Sequence, residues 1–545
     1  MLDIIYNQTF QHLAIIFALF LTAWGYSVRG KFVSDDIEGI ARFSNYWDDK
    51  NQKVVDTYVH DKELFKHRQF NPKIGFPGSV IRWLRLNIGA RFMVIGKDKK
   101  GKEQYGYMQW PFKHHLINLV LHSINLVLAY LLLAHLFGPD IAFVATLLFS
   151  VHPVTAQAVA WCSGIGYLHS LVWILATLLV CTLVASPYVT IPFTIIATLI
   201  AASSLLVGAF TWAPLLVLGH YQEAIICFVI SVVILARQGM EVIGYRKNEF
   251  KKQNMGRSTF LNFRKPIVAL KTLWYYTKLL IVPKSLGLFH TWGYHYKETT
   301  ERINKQTLLG MGVLASMVFF CLMFPSNLLI RFAFVWMLFY LIPFLNFITA
   351  QQFVADRYTF IPCLGFCLLL AFLLQPFPLL AAFIIGGYLV RVLVHLPTFH
   401  DEIAFYQSNI WNFPNSEVAY GNLGVSCAKV GMTGWAFDTW RIATRINPRY
   451  DVPHYNLFSF FRSNGDLVNA KKELEACLDA DVVHFNERWQ KEYDDLCKAM
   501  KEQDEKKKEQ ERQATANQLR NPLPGQAGPP TPGVGQLNQP PGLPR

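Results

Sequence analysis

The sequence has little charge: Asp, Glu, Lys and Arg make up 16% of its 545 residues, against 52% hydrophobic and 14% aromatic residues. With a mean hydropathy of +0.24, this composition excludes a soluble protein of this size. The nine cysteines form no CxxC pair and most lie in apolar runs, so we predict neither a metal site nor a disulfide framework. The first 26 residues lack a small-residue cleavage site, which predicts a retained membrane span rather than a signal peptide.

The net charge of +14 could suggest a nucleic-acid partner. The basic residues, however, lie in loops between apolar runs, so we expect contacts with anionic lipid headgroups or lipid phosphates and no nucleic acid. The densest basic loop covers residues 237–265, and the positive-inside rule places it in the cytoplasm. Counting spans outward from this loop puts the candidate site residues and the C-terminal region on the non-cytoplasmic side.

Apolar runs of membrane length predict a polytopic membrane domain of about eleven transmembrane helices over residues 1–396. Its centre is a helical hairpin from Trp110 to Trp161, which turns at Gly138-Pro139-Asp140 and returns both polar ends to one side. Residues 29–112 are predicted to form a long first non-cytoplasmic loop, with an interfacial helix over residues 79–95. The other predicted spans cover approximately residues 12–26, 168–185, 189–207, 212–235, 267–282, 308–324, 328–348, 358–374 and 377–395.

From Glu417 onward, large and small residues recur with the 34-residue period that is typical of tetratricopeptide repeats. The small residues Gly424, Ala436 and Ala470 fall where paired helices approach closely. We therefore predict a short α-solenoid over residues 400–497, followed over residues 498–545 by a charged helix and a disordered tail rich in Pro, Gly and Gln. The predicted fold class is all-α.

Polar side chains at the ends of the predicted spans are the candidate site residues. Asp35 and Asp36 follow the first span, where a carboxylate can accept a proton from a hydroxyl whose oxygen attacks an activated carbon. Helix capping and simple solvation are the alternatives for this pair. His114, His115 and Arg357 stand at span entrances, where they can contact either a lipid headgroup or a substrate phosphate.

Two further histidines are candidates for lining a cleft. His152 stands before Pro153, where a span breaks, and irregular backbone at that depth must be buried in protein or line a cavity. His290 lies in an aromatic and basic loop, for which an interfacial belt is the alternative interpretation.

Together and in this order, the motifs resemble the transmembrane and tetratricopeptide-repeat-containing O-mannosyltransferase-like proteins, including their bacterial relatives, in the GT-C superfamily. The resemblance covers about residues 32–482. The residues that carry it are Lys31-Phe32-Val33-Ser34-Asp35-Asp36-Ile37-Glu38-Gly39-Ile40, the segment from Arg82 to Asn87, the set His115, Asn118 and His122, the pair of segments His152-Pro153-Val154 and Ala158-Val159-Ala160-Trp161, and Ala355-Asp356-Arg357-Tyr358-Thr359-Phe360-Ile361-Pro362.

This resemblance implies an inverting glycosyltransferase in a multi-pass membrane protein, and we favour the bacterial inner membrane over the endoplasmic reticulum. Asp35, with Asp36 beside it, is implied to be the general base for a Ser or Thr hydroxyl of an exported protein. The donor is implied to be a mannose-like sugar on polyprenyl phosphate, with no cofactor required by the sequence. The residues implied to hold the lipid phosphate are Arg82, His114, His115 and Arg357, and those implied to line the cleft are His152, Gln157 and His290.

Two departures from the family pattern keep an alternative open. Gln157 stands where the family has Glu, and Ile165 stands where it has Arg. The alternative is a non-catalytic membrane scaffold of the same fold that docks partner proteins through its repeats. A transporter fits less well, because the sequence shows no paired inverted hydropathy and no intramembrane carboxylates.

Overall fold

The computed structural model describes residues 2–36, 46–48, 53–55, 84–97, 103–252, 265–290, 302–347, 354–479 and 486–520. Most of this described chain is helical, as expected. The all-α prediction was nevertheless incomplete, because two small antiparallel hairpins are present. Their strands are β1 (Tyr46–Asp48), β2 (Lys53–Val55), β3 (Ala90–Lys97) and β4 (Glu103–Gln109).

The longer helices follow the predicted order of membrane helices and repeats. They are α1 (Leu2–Trp24), α2 (Pro111–Phe137), α3 (Pro139–Val151), α4 (Ile165–Leu183), α5 (Pro187–Ser204), α6 (Trp212–Val217), α7 (Tyr221–Lys252), α8 (Lys265–Ile281), α9 (Lys305–Met323), α10 (Leu328–Leu341), α11 (Phe360–Leu374), α12 (Pro378–His395), α13 (Glu402–Asn412), α14 (Glu417–Lys429), α15 (Thr433–Ile446), α16 (Asp451–Ser463), α17 (Leu467–Asp479) and α18 (Asn486–Arg520).

Seven of the described helical segments are long and apolar enough to cross a membrane, and an eighth is added if the bent pair after Gly138 counts as one span. Three shorter apolar helices accompany them: Leu206–Val217, Tyr221–Ala236 and Leu328–Phe344. The chain is therefore a multi-pass membrane protein. The total of about eleven spans stays a prediction.

The predicted interfacial helix over residues 79–95 was wrong in its second half. A short helix occupies residues 84–89, and the chain then enters β3 at Ala90. The run Phe92-Met93-Val94-Ile95 explains the difference, because aromatic and β-branched residues pack well on the surface of a hairpin. In the backbone register of this hairpin, Phe92 lies opposite Tyr107 of β4.

The second arm of the central hairpin is broken at Pro153, as the sequence suggested. Helix α3 ends at Val151, and the helical segment Pro153–Val159 that follows is bent from it by 53°. Proline has no N–H to continue the helical hydrogen bonds, and the His152 ring accepts from the free Val154 N–H at 3.2 Å. The break carries an irregular, buried stretch of backbone into the protein interior.

One face of α2 supports this broken segment. His115, Asn118, His122 and Asn125 recur every three or four residues, so they share one side of the helix, and all four are buried. Asn118 Nδ2 donates to the carbonyls of Val159 (3.3 Å) and Trp161 (2.9 Å), which satisfies backbone groups that have left the helix. The polar stripe therefore holds the irregular backbone in place.

Two helix pairs form the C-terminal region, α14 with α15 and α16 with α17. Each helix of the second pair begins 34 residues after its counterpart in the first pair. Gly424 packs directly against the Trp440 indole, where a Cβ would clash. This close approach is what the small-residue positions were predicted to permit. The hydrophobic core of the membrane helices continues without interruption through α13 to Leu457 in α16.

Candidate functional site

Asp36 is the buried carboxylate of a polar cluster at the ends of the membrane helices. Its Oδ1 accepts hydrogen bonds from the amide (2.7 Å) and hydroxyl (2.5 Å) of Ser163, and its Oδ2 accepts from Val33 N at 3.2 Å. Burial raises the pKa of Asp36 to about 7, while these hydrogen bonds and the Arg85 guanidinium oppose the rise. Asp36 thus ties the first loop to the segment after the broken span, and protein donors occupy its carboxylate.

Asp35 is the exposed carboxylate of the pair. It follows Ser34, whose φ of 54° lies in the left-handed region that residues other than glycine seldom adopt. Partial loss of solvation raises the pKa of Asp35, and the nearby Arg357 guanidinium opposes this rise. Of the two adjacent aspartates, Asp35 is therefore the one that a ligand can reach.

Arg357 supplies the positive charge opposite Asp35. It lies in the 3-10 turn Asp356–Thr359 before α11, and its guanidinium carbon lies 5.4 Å from the centre of the Trp161 ring. The guanidinium also hydrogen-bonds the Tyr167 hydroxyl and the Gln157 Oε1, the latter at 3.4 Å. These neighbours are neutral, so they orient the guanidinium without cancelling its charge.

Gln157 connects Arg357 to its neighbour Asp356. The Gln157 Oε1 accepts from Arg357 N at 3.2 Å, while its Nε2 donates to Asp356 Oδ2 at 3.1 Å and to the Gly287 carbonyl at 2.6 Å. An amide can serve both partners because it offers an acceptor to the cation and a donor to the carboxylate. The amide of Gln157 is thus held by a hydrogen-bond network that uses both of its ends.

Asp356 and His290 form a buried pair behind this network. The His290 Nε2 lies 2.8 Å from Asp356 Oδ1, and its Nδ1 lies 2.6 Å from the Tyr275 hydroxyl. The carboxylate requires a proton on Nε2, so Nδ1 accepts from Tyr275. Gly287 N donates to Asp356 Oδ2 at 2.7 Å. His290 and Asp356 therefore fix the loop after α8 against the turn that carries Arg357.

His114 and His115 are both buried at the start of α2. The His114 Nε2 lies 2.8 Å from Gln109 Oε1 at the end of β4, and Gly89 packs so closely on the ring that it has no space for a side chain. His115 packs in the same way against Gly30. The two rings thus hold the first loop and the β3–β4 hairpin against α2.

His152 is also buried, and backbone groups satisfy both of its ring nitrogens. Its Nε2 donates to the Leu280 carbonyl at 2.9 Å, and its Nδ1 accepts from Val154 N. The structure therefore places His152 where it joins the broken span to the end of α8. It hydrogen-bonds no side chain of the cluster among the described residues.

Arg82 lies outside the described residues, but Arg85, three positions later in the sequence, is part of the cluster. The Arg85 Nη2 donates to the Cys162 carbonyl at 2.6 Å, and its charge acts on Asp36. The sequence predicted an interfacial helix around Arg85 and singled out neither Arg85 nor Ser163 as a site residue. The available signal was Gly164, whose missing side chain lets its backbone pack directly on that of Ala158.

A groove of about 550 Å³ opens between the end of α8, α11 and α12. Its walls are mostly apolar, and Phe366, Leu370 and Phe383 are among the residues that line it. Two cations also line it, Lys284 and Arg391, and the Arg391 Nη2 donates to the Lys284 carbonyl at 2.9 Å. Lys284 directly precedes the loop that carries Gly287 and His290, and Arg391 interacts electrostatically with Asp356, so the groove adjoins the cluster.

Within the part of the chain that the structure describes, no three His, Cys, Asp or Glu side chains converge as a metal site would require.

Comparison with known proteins finds one informative similarity. A protein O-mannosyl-transferase of Caenorhabditis elegans is 25% identical to this chain over 367 residues, which covers 62% of this chain and 51% of that protein. The chain thus spans about half the length of the curated relative that it matches. No family model and no solved structure matches the chain. The similarity supports an O-mannosyltransferase-like family for this multi-pass membrane protein.

Proposed function

We propose that this protein is a membrane glycosyltransferase that moves a mannose-like sugar from polyprenyl phosphate to a Ser or Thr hydroxyl of a protein. One observation carries the proposal: an exposed carboxylate, Asp35, interacts electrostatically with the guanidinium of Arg357 in a cluster that is built from loops distant in sequence. Transfer to a hydroxyl needs a base for the attacking oxygen and fixed positive charge for the leaving phosphate. Asp35 and Arg357 are suited to these two roles.

In the proposed reaction, Asp35 accepts the proton of the acceptor hydroxyl as its oxygen attacks the anomeric carbon of the sugar. The bond from that carbon to the lipid phosphate breaks, and attack from the opposite face inverts the configuration. The leaving phosphate carries the negative charge, which Arg357 stabilises by bidentate hydrogen bonding. The raised pKa of Asp35 suits a general base, because it brings proton affinity closer to neutral pH.

The network around Gln157 supports an available charge on Arg357. The carboxylate of Asp356 is engaged by His290, by Gly287 N and by Gln157. The side chain of Arg357 therefore meets an amide oxygen at this position rather than a second carboxylate. A guanidinium without a carboxylate partner in this network can bind the phosphate of a donor.

The apolar groove beside Lys284 and Arg391 supports a lipid-linked donor. Its position between lipid-facing helices lets a hydrocarbon chain enter from the bilayer, and its cations favour an anionic headgroup. We propose that the cluster and the repeats face the non-cytoplasmic side, as the charge distribution predicts, in a bacterial inner membrane rather than the endoplasmic reticulum.

A non-catalytic scaffold is the second candidate. Trp411 of α13 and Trp435 of α15 are 88% and 57% exposed, and exposed tryptophans are common anchors of protein interfaces. The same residues could contact an acceptor protein of an enzyme, so an activity assay decides between the two candidates.

The test is sugar transfer from a polyprenyl-phosphate donor by the purified protein in lipid nanodiscs. We expect turnover by the wild type and a loss of about 100-fold or more in Asp35→Asn, the scale of a missing general base. Asp438→Asn, which changes an exposed aspartate on α15, is the matched control and should retain activity.

The other outcomes are equally informative. A folded wild type that neither binds nor uses any lipid-linked sugar would favour the scaffold. Full turnover by Asp35→Asn would keep the enzyme but remove Asp35 from the role of base.

A further inference from the structure

Helix α13, the first helix after the membrane domain, lies between two loops of the cluster. One is the first-loop segment, residues 30–36, which carries Asp35. The other is the second-loop segment, residues 286–290, which carries His290. Just before α13, the His400 carbonyl accepts from Lys31 N at 2.9 Å, and at its end the Asn412 Nδ2 donates to the Leu286 carbonyl at 3.0 Å. The helix therefore bridges the two segments.

The contact with the second-loop segment is extensive. The Asn409 amide oxygen is oriented to accept from Leu288 N (2.8 Å) and Phe289 N (3.1 Å). The ring of Phe413, directly after α13, lies 4.3 Å from the ring of His290. Gly287 packs so closely on α13 that a Cβ would meet Asn409. These contacts fix the segment whose backbone and imidazole hold Asp356.

The contact with the first-loop segment centres on Tyr406. Its side chain is buried, and its ring is stacked on Phe289 with an interplanar angle of 16° and a centroid distance of 6.3 Å. Its hydroxyl interacts with the side chain of Ser34. One tyrosine thus contacts both segments of the cluster.

Ser34 is the residue at which such a contact matters most. Its φ of 54° is sparsely populated for a residue with a Cβ, so its surroundings must stabilise that conformation. Ser34 directly precedes Asp35, and a change in its backbone angles would redirect the carboxylate. Glycine would adopt the same conformation without help, because it has no Cβ to clash.

We propose that Tyr406 is a positioning residue that holds Ser34 in its left-handed conformation and thereby aims Asp35, so that α13 belongs to the transferase unit. The role of Asp35 as base rests on the function proposed above. The positioning of the first-loop segment by Tyr406 does not depend on that role and can be measured without turnover.

The first arm of the test measures hydrogen–deuterium exchange of the full-length protein in nanodiscs. Tyr406→Phe keeps the ring and its packing but removes the hydroxyl. We expect the peptide that covers residues 31–36 to exchange about tenfold faster in this variant. Tyr455→Phe, which removes an α16 hydroxyl that donates to Glu492 of α18 at 3.1 Å, is the matched control and should leave this peptide unchanged.

The second arm measures transfer kinetics with a polyprenyl-phosphate sugar. We expect Tyr406→Phe to lower kcat about tenfold with KM for the donor unchanged, because Arg357 is untouched and the base is misplaced. In a Ser34→Gly background, the tyrosine substitution should have little further effect, because glycine needs no support. This coupling distinguishes positioning from a general loss of stability, which would add in both backgrounds.

The proposal would be overturned if Tyr406→Phe left the exchange of residues 31–36 unchanged. It would also be overturned if Tyr406→Phe lowered kcat equally in the wild-type and Ser34→Gly backgrounds. If the wild type transfers no sugar while Tyr406→Phe still loosens this peptide, the transferase function fails and the positioning of the segment stands.

Discussion

Replacement of Asp36 by asparagine tests whether the cluster holds a buried carboxyl group whose ionisation costs folding free energy. The pKa of Asp36 is raised from 3.8 to about 7 by burial, a difference that corresponds to about 4 kcal/mol in favour of the protonated form. Asp36→Asn cannot ionise, so it avoids this cost. Its amide oxygen can still accept from Ser163, but the hydrogen bond from Val33 N is lost, at a cost of about 1 kcal/mol.

The sign of the pH dependence follows from proton binding. Between pH 4 and pH 7 the unfolded chain has released the Asp36 proton while the folded protein retains it, so the free energy of unfolding of the wild type falls as pH rises. It levels off above about pH 7. Relative to the wild type, Asp36→Asn should be about 1 kcal/mol less stable near pH 4 and up to about 3 kcal/mol more stable at pH 8.

The assay is thermal unfolding of both proteins in the same nanodiscs across this pH range, with Asp438→Asn as the surface control. The two stability curves should cross on the acidic side of neutrality. Parallel curves for the wild type and Asp36→Asn would refute the reasoning, because they would show that ionisation of Asp36 carries no folding cost and that its carboxylate is solvated.

Two further substitutions probe the network and the broken span. In Gln157→Glu, the new carboxylate would lie about 3 Å from the carboxylate of Asp356 and close to the guanidinium of Arg357. At this distance two unit charges interact by about 5 kcal/mol at an effective dielectric constant of 20. It should neutralise Arg357 and raise KM for the donor about tenfold, and an unchanged KM would contradict the phosphate role. Asn118→Ala should cost about 1–3 kcal/mol of stability, because it removes a donor from the buried Val159 carbonyl and one of the two donors of the Trp161 carbonyl, which keeps Gly164 N. The measurement is thermal unfolding beside the surface variant Gln490→Ala.

Local patterns in the sequence were sufficient for much of the fold. Apolar runs predicted a multi-pass membrane protein because a bilayer requires about twenty apolar residues per span. Pro153 predicted the break after α3 because proline cannot continue the helical hydrogen bonds. The hairpin at β3 was missed because a short apolar run of mixed spacing suits a helix and a strand alike, and only pairing with β4 decides between them.

The sequence predicted which residues belong to the candidate site better than it predicted what each of them does. The sequence pointed to Asp35, Asp36 and Arg357 through their positions at span ends. Position alone did not separate the two aspartates, and only the family resemblance favoured Asp35 as the base. Burial separates them, since Asp36 is enclosed by protein donors and Asp35 is exposed. Ser163, which binds Asp36, and Arg357, which acts on Asp35, lie more than a hundred positions away, and no local pattern specifies them.

By itself, the sequence determined where the chain is apolar, where its helices break and where its 34-residue period begins, because each of these depends on neighbouring residues. Only the tertiary structure decided that Gln157 hydrogen-bonds Asp356, 199 positions later in the chain, and that Tyr406 interacts with Ser34. Such contacts form when separate helices pack together. Their geometry depends on the whole fold rather than on any single segment.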